Sequence, residues 1–386
     1  MRRKMLLLSA VAVVAASAVL VVGASGSPGS PGSRVTGDAC SARWRVVATG
    51  VKVPLLSAVA AISSTDVWAV GGSDGLRGIA TPVIVHWDGK RLRSYSAFTP
   101  SRRNGGELTA ISAVASDDVW AVGVDGGKRV VMHWNGRAWK RVTTPRVRGN
   151  GGLNGIAAIS SSDVWAVGSD DNGALVMHWN GRAWSLTSLR GLLGSNTWLS
   201  EVAGASSHDI WTVGGRNIDA DSWAPVSLHW DGRSWKHVGA FDNDPGAGPV
   251  TGHMDGSSFN AVDVSSPSAV WTLGFQWGGA ENSYILRWDG RKQHVAYNYE
   301  GGNLSALAVV SPTNVWAVGE IYLYDPQEGY VPGMASPLVV HGDGTSWRVQ
   351  HTLLERLTTA NLNGISALSA TEIWAAGNHL IARYSC

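Results

Sequence analysis

The chain is poor in cysteine and carries almost no net charge. Only two of its 386 residues are cysteines, Cys40 and Cys386, and 31 Lys and Arg residues balance 29 Asp and Glu residues. A chain without a basic excess lacks the electrostatic signature of nucleic-acid binding, so we expect no nucleic-acid partner. The sequence also shows no complete set of catalytic residues, so an enzyme is the less favoured class.

The N-terminal segment, Met1–Ala24, has the layout of a secretory signal peptide. Arg2, Arg3 and Lys4 precede an apolar run, Met5–Val22, and Val22-Gly23-Ala24 offers a small-residue cleavage site. No cysteine lies near this site, which argues against a lipoprotein. We predict cleavage, a secreted protein and no membrane contact afterwards. The alternative is an uncleaved N-terminal membrane anchor, because the run is about as long as the shortest membrane span.

Residues 25–39 are predicted to form a flexible linker. They contain the run S-P-G-S-P-G-S at 27–33, a composition that cannot bury a hydrophobic core. We therefore expect one folded domain at residues 40–386.

One phrase recurs seven times within that domain. D-V-W-A-V-G at Asp66–Gly71 is repeated at Asp118–Gly123 and Asp163–Gly168, and looser copies follow along the rest of the chain. A four-stranded propeller blade takes about 40–50 residues; the shortest intervals match one blade each, and longer intervals add loops. We predict an all-β protein, a seven-bladed β-propeller of four-stranded antiparallel blades. The seven marker residues are Trp68, Trp120, Trp165, Trp211, Trp271, Trp316 and Trp374.

The third repeat shows the strands of one blade most clearly. Alternation and turn residues predict strands at Leu153–Ile159, Asp163–Gly168, Ala174–Trp179 and Arg182–Thr187. Asn180-Gly181 predicts a tight type I′ hairpin between the last two strands, because both residues tolerate a positive φ.

Tryptophan and histidine recur at fixed positions of the repeat. Seventeen of the 20 tryptophans do so, which indicates packing between blades. Five histidines share one position on the third strand, and this repetition favours hydrogen-bonded core histidines over metal ligands. They are His86, His133, His178, His229 and His341.

The two ends of the domain complement each other. Residues Cys40–Val46 match a fourth strand without the first three, and the last repeat stops after its third strand. Joined, they complete the seventh blade and remove an open sheet edge. Cys40 and Cys386 then occupy adjacent turn positions, so we predict a disulfide between them, worth roughly 5 kcal/mol in the chain-entropy model.

The repeat resembles a known group of propellers. A strand ending in two glycines, as at Ala69–Gly72 and Thr212–Gly215, is followed by an apolar strand closing on Asp and Trp, as at His229–Trp235. This pattern is similar to the Kelch repeat and to the central propeller of galactose oxidase. The resemblance implies a scaffold and carries no functional residue to this chain.

Irregular segments are predicted to gather on one face of the propeller, where long loops usually carry function. The longest are Gly239–Ser258 and Glu320–Pro337, with shorter ones at Gly215–Pro225 and Phe275–Ser283. Exposed aromatic rings there suit a carbohydrate or an extracellular protein; the alternative is that the rings pack the loops together. The ligand-binding candidates are Trp223, Trp277, Phe241, Tyr322, Tyr324 and Tyr330.

Carboxylates give two weaker hypotheses. Asp242, Asp244 and Asp255 lie in a glycine-rich segment and are candidate Ca²⁺ ligands; no other cofactor is expected. Glu201 and Asp263 are acidic residues on first strands near the propeller axis, and are the first channel residues to test in an enzyme. The alternative for the Ca²⁺ candidates is a solvated acidic loop, and the alternative for Glu201 and Asp263 is structural hydrogen bonding.

We therefore expect a monomeric extracellular binding or interaction propeller. A glycan-acting hydrolase or lyase is one alternative, and it would need a converging pair of acidic residues. A structural protein of the cell envelope is the other.

Overall fold

The computed structural model describes residues 42–47, 55–73, 80–147, 149–189, 191–219, 223–238, 257–276, 282–325, 329–357 and 359–386. The strands form seven four-stranded antiparallel sheets. The first strand of each sheet contacts the first strand of the next, and the seventh sheet contacts the first in the same way. The predicted seven-bladed, all-β propeller is confirmed. The predicted signal peptide, the linker and Cys40 lie outside the described residues and stay predictions.

Each blade takes its strands in chain order from the axis outward. Blade 1 has β2 (Leu55–Ser63), β3 (Asp66–Ser73), β4 (Thr81–Trp87) and β5 (Leu92–Tyr95). Blade 2 has β6 (Gly106–Ala115), β7 (Asp118–Asp125), β8 (Lys128–Trp134) and β9 (Trp139–Arg141). Blade 3 has β10 (Gly151–Ser160), β11 (Asp163–Asp170), β12 (Gly173–Trp179) and β13 (Trp184–Thr187). Blade 4 has β14 (Thr197–Ser206), β15 (Asp209–Asn217), β16 (Trp223–Trp230) and β17 (Trp235–His237).

The remaining blades follow the same plan until the ring closes. Blade 5 has β18 (Ser257–Ser266), β19 (Ala269–Gln276), β20 (Asn282–Trp288) and β21 (Gln293–Glu300). Blade 6 has β22 (Gly302–Ser311), β23 (Asn314–Asp325), β24 (Gly329–Gly342) and β25 (Trp347–Val349). Blade 7 has β26 (Gly364–Ser369), β27 (Glu372–Gly377), β28 (Leu380–Ser385) and, outermost, β1 (Arg43–Val46).

The N-terminal strand completes blade 7, as predicted. β1 pairs antiparallel with β28, with Arg43 opposite Ser385 and Trp44 opposite Tyr384. In blade 2 the same register sets Trp139 opposite Trp134. The two ends of the domain therefore meet where other blades have the turn between their third and fourth strands.

The tryptophan of the second strand forms the core between neighbouring blades. Trp68 of blade 1 is buried and packs against Trp134 and Trp139 of blade 2, with ring centroids 5.1 and 5.4 Å apart. Trp120 repeats this contact with Trp179 and Trp184. The predicted role of the repeated tryptophans is confirmed, and burial of such large rings is a main source of stability.

The glycine that ends the repeated phrase is required by close backbone approach. The first strands of blades 1 to 6 have a register shift near their start, for example between Leu56 and Ala58. This bulge brings the carbonyl oxygen of Leu55 to 2.0 Å from the position that a Cβ of Gly71 would occupy. Only glycine fits there, and Gly123 meets Glu107 in the same way.

The four strands of blade 3 lie where the sequence placed them, but its last turn differs from the prediction. The fourth strand begins at Trp184 because residues 180–183 form the turn. Only Gly181 has a positive φ, so the type I′ prediction was wrong. Instead, Asn180 Oδ1 accepts hydrogen bonds from the backbone N–H groups of Arg182 and Ala183, at 3.0 and 3.1 Å. The side chain thus caps a longer turn.

A 3-10 helix, Leu353–Arg356, lies in the connection between blades 6 and 7 and contacts β24 and β1. Among the described residues, no helix combines the length and hydropathy needed to cross a membrane.

Candidate functional site

The two faces of the propeller differ. On one, here called the hairpin face, the turns after the first and third strands lie side by side: a Cβ added to Gly181 would lie 2.9 Å from Cβ of Ser162. Blade 4 repeats the arrangement with Gly232 and His208. Every described turn on this face is short. The longer connections follow the second and fourth strands and lie on the opposite face, here called the loop face.

An extended hairpin of blade 6 dominates the loop face. The segment Glu320–Pro337 was predicted as an irregular loop, and this was wrong. The β23–β24 ladder continues through it, from Gly319 opposite Leu338 to Asp325 opposite Gly329. By contrast, β22 pairs with β23 only as far as Ile321. The hairpin therefore extends beyond the four-stranded part of its blade.

Two predicted aromatic candidates are half-buried at loop-face ends of strands. Trp223 begins β16 opposite Asn217, and Tyr322 lies in β23 opposite Ala335. Tyr324 and Tyr330 are paired partners in the extended hairpin. Two further candidates, Phe241 and Trp277, lie outside the described residues.

Sequence reasoning missed one tryptophan of this face. Trp198 is half-buried near the loop-face end of β14, and its ring covers Gly215: a Cβ there would lie 2.4 Å from the ring. Trp198 and Trp223 thus occupy the same end of blade 4, on its first and third strands. The available signal was that both tryptophans fall outside the repeated positions.

A buried ion pair connects blades 2 and 3 near the loop face. Arg129 Nη2 lies 3.5 Å from Asp170 Oδ2, and the two side chains are only 8% and 6% exposed. Burial lowers the pKa of Arg129, although the charge of Asp170 opposes that shift. The pair lies at the loop-face ends of β8 and β11, and its burial keeps the two charged groups in fixed positions.

The two acidic channel candidates are both buried. Glu201, on β14, is 0% exposed and Asp263, on β18, is 6% exposed. Asp263 Oδ2 accepts a hydrogen bond from the N–H of Val309 in blade 6, and Oδ1 accepts one from Val264, both at 2.8 Å. These contacts are of the kind that the structural alternative for Asp263 expects.

Serines make the same contact elsewhere in the ring. Ser112 Oγ accepts from the N–H of Ala158 in the next blade, and Ser366 Oγ accepts from Ala61. Asp263 occupies the matching position, opposite the second-strand tryptophan of its own blade. Burial raises its pKa to about 7, although the two N–H donors favour the charged form.

Polar residues at the first-strand bulges also join neighbouring blades. Thr109 Oγ1 donates to the carbonyl of Leu153 at 2.7 Å, and Asn154 Nδ2 donates to that of Leu199 at 2.8 Å. Asn363 Nδ2 donates to Leu56 across the ring closure, also at 2.8 Å. These hydrogen bonds hold the inner ring together.

The repeated histidines are hydrogen-bonded in the core, as predicted. In blade 2, Nε2 of His133 lies 2.8 Å from Asp118 Oδ1, which also accepts from Nε1 of Trp120 at 2.8 Å. Burial opposes ionisation of Asp118, but hydrogen bonds from His133, Ser161 and Trp120 together hold its pKa below the usual value. Blade 6 replaces the aspartate by Asn314, and blade 7 uses Glu372 with Arg383.

The acidic partner of these histidines was not predicted. The partner is the first residue of the repeated phrase, two positions before the tryptophan. This position holds an acid or an amide in every blade whose third strand carries a histidine equivalent to His133. Blade 5 has Ala269 there, and Arg287 lies over the Trp271 ring instead. The sequence could have revealed the partner, because the first residue of the phrase changes together with the third-strand histidine.

The Ca²⁺ candidates Asp242, Asp244 and Asp255 lie outside the described residues. Within the part of the chain that the structure describes, no group of three or more His, Cys, Asp or Glu side chains is placed to hold a metal ion.

The fold and the loop face define a seven-bladed propeller with one elaborated face. Among solved structures, the chain is similar to YCF48 from Cyanidioschyzon merolae (TM-score 0.57, 13% identity, 89% of this chain and 99% of that chain). It is also similar to YCF48 bound to a D1 peptide (0.56, 11%, 89% and 97%) and to the WD40 repeats of RRP9 (0.57, 9%, 89% and 97%). At these identities the likeness shows the fold alone.

No protein-family model matches the chain, and the search of curated proteins gives no match. The solved structures named above are YCF48 and WD40 propellers, and none of them is a Kelch protein or galactose oxidase. The resemblance to the latter two therefore holds for propeller architecture only.

Proposed function

We propose that this chain is an extracellular binding propeller whose loop face takes an extended segment of another protein. One observation carries the proposal: the elaborated hairpin and the non-repeat aromatic residues share the loop face, whereas described turns on the hairpin face are short. Titratable groups at the repeated positions are held in hydrogen bonds, within one blade for His133 with Asp118 and between blades for Asp263 with Val309. This arrangement favours binding over catalysis.

The extended hairpin supports a peptide ligand. Tyr322, Tyr324 and Asp325 of β23 pair with β24 on one side, with a register shift after Tyr322, and β22 pairs with β23 only as far as Ile321. Among the described residues, no third strand covers that edge. An open strand edge binds an extended peptide through backbone hydrogen bonds, while side chains nearby provide specificity. Trp198, Trp223 and Tyr322 offer flat apolar surfaces for such contacts.

The structural comparisons are consistent with binding of a peptide. One of the similar propellers, YCF48, has been solved with a D1 peptide bound. A propeller of this size can therefore accept a peptide. A carbohydrate remains the second candidate ligand, because exposed rings also suit sugars.

The test is a combined peptide and glycan array probed with residues 40–386. One variant replaces residues 323–334 by a two-residue turn like Asp171-Asn172, which joins β11 and β12 in blade 3. A second carries Trp198→Ala and Trp223→Ala. The control is Leu186→Ala, which removes an apolar side chain that is 45% exposed on the outer strand of blade 3.

We expect the unmodified protein and the control to bind the same peptides, and both loop-face variants to lose them while still unfolding cooperatively on heating. Peptide binding that survives in both loop-face variants would place the site elsewhere. Signals confined to glycans would replace the peptide by a sugar as the ligand.

A further inference from the structure

The hairpin face carries a basic rim that the overall charge conceals. The turn between the third and fourth strands has a basic residue two positions after its Asp or Asn in five consecutive blades, and each is exposed. The outermost strands add further exposed cations. The turn residues are Lys90, Arg137, Arg182, Arg233 and Arg291; the outer-strand residues are Arg43, Arg45, Arg93, Lys140, Lys236 and Arg348.

The carboxylates near this rim are already engaged. Asp88 Oδ1 accepts backbone hydrogen bonds from Lys90 and Arg91, and its Oδ2 pairs with Arg93 at 2.8 Å. Asp231 caps its own turn in the same way and pairs with Lys236. In the described part of the chain, the five turn cations form no ion pair with a carboxylate. Their charge is therefore directed to solvent.

The carboxylates inside this rim are mostly hydrogen-bonded to core histidines, as Asp66 is to His86 and Asp118 to His133. The turns between first and second strands are short and consist mainly of small polar residues, such as Ser161-Ser162 in blade 3 and Pro312-Thr313 in blade 6. No described residue there provides an apolar side chain long enough to insert into a partner. A cationic rim around short polar turns is complementary to an anionic surface.

The N-terminal segment enters the domain at this same face. Arg43 starts β1 opposite Ser385, at the end of blade 7 where other blades have their third turn. The part of the chain that precedes β1 contains the apolar run predicted to engage a membrane during export. The segment before β1 therefore joins the domain on the side of the basic rim, and adsorption through that rim would revise the expectation of no membrane contact after cleavage.

The geometry points to the hairpin face as a docking surface for an anionic lipid bilayer, with the rim cations bound to lipid headgroups. The loop face then points away from the bilayer, toward its ligand. Such adsorption should weaken as salt is added, because charges more than about 10 Å apart are largely screened from each other at 0.1 M salt. Each cation near an anionic bilayer contributes about fivefold to the binding constant.

The experiment measures co-sedimentation of residues 40–386, which contain all seven blades, with vesicles. The vesicles are phosphatidylcholine alone or with roughly 30% phosphatidylglycerol, which gives the bilayer a negative surface potential. The rim variant is Arg137→Ser, Arg182→Ser and Arg233→Ser. The matched control is Arg102→Ser, Arg103→Ser and Arg146→Ser, which removes three exposed charges from the connections of the loop face.

We expect binding to the anionic vesicles only, a loss of about a hundredfold in the rim variant, and a loss of less than about tenfold in the control. Near-ultraviolet circular dichroism checks that both variants keep their tryptophan packing. Equal losses in the two variants would overturn the assignment to this face. Binding to soluble polyphosphate without binding to anionic vesicles would overturn the bilayer as the partner.

Discussion

Trp44 packs edge-on against Trp316, with ring centroids 6.1 Å apart and ring planes at 70°. Trp44 also contacts Tyr384, at 5.7 Å. One residue of the N-terminal strand therefore touches both blade 6 and the C-terminal strand of blade 7. It fills the position that Trp139 has against Trp68, so the closing interface of the ring repeats the packing of the internal ones.

Removing the indole ring of Trp44 should weaken the closure of the propeller. Trp44 is 4% exposed, so we expect Trp44→Ala to lower the free energy of unfolding by about 3–5 kcal/mol. Chemical denaturation measures this change in the free energy of unfolding. Trp184→Ala, which removes an outer-strand ring that is 5% exposed in blade 3, is the matched control and should cost a similar amount. Unchanged stability in Trp44→Ala alone would contradict the closure.

The disulfide between Cys40 and Cys386 remains a prediction, and the register of β1 with β28 supports it. Ser385 lies opposite Arg43, so the end of β28 that leads to Cys386 lies beside the start of β1. We expect mass spectrometry of the unreduced protein to find the two cysteines linked, and Cys40→Ser with Cys386→Ser to lower the unfolding free energy by roughly 5 kcal/mol. Two free thiols would disprove the link.

Asp66 and Asp118, which lie beside core histidines, should make the propeller acid-sensitive. The folded protein holds the pKa of Asp118 below its unfolded value, so this stabilisation is present above the unfolded pKa and is lost as the pH falls through the folded one. We expect Asp118→Asn to cost about 1–2 kcal/mol at pH 7 and much less near pH 2.

Blade 6 provides the natural precedent for that substitution, since Asn314 lies 3.0 Å from His341. Urea titrations at several pH values compare the free energies of unfolding of the Asp118→Asn variant and the unmodified protein. A cost for Asp118→Asn that is the same at pH 2 and pH 7 would mean that ionisation of Asp118 does not stabilise the fold.

Asp263 should have the opposite pH dependence. Its pKa is raised to about 7 by burial, so its contribution is full below the unfolded pKa of about 4 and is lost as the pH rises toward 7. Asp263→Ser retains an acceptor for Val309, as at Ser112. The stability of this variant relative to the unmodified protein should rise by a few kcal/mol between pH 4 and pH 8. A constant difference in unfolding free energy would show that Asp263 does not titrate in this range.

The residues that hold the blades together were accessible to sequence reasoning to different degrees. The repeated tryptophans and histidines indicated interblade packing because the same position recurs from unit to unit. The aspartate partner of His133 was not found, because its role depends on two strands being adjacent. The turn at Asn180 was misjudged, since a side-chain cap and a type I′ turn use the same two residue types.

The sequence by itself determined the number of blades, the strand order within each blade and the closure by β1, because these follow from repetition and from what each end lacks. Tertiary structure decided the rest. It turned Glu320–Pro337 from a loop into an extended hairpin, because strand pairing continues through backbone hydrogen bonds that leave no repeat in the sequence. It also brought Trp198 and Trp223 to one end of blade 4 and gathered scattered cations into a rim, since charge and aromatic surface have positions only once the ring has closed.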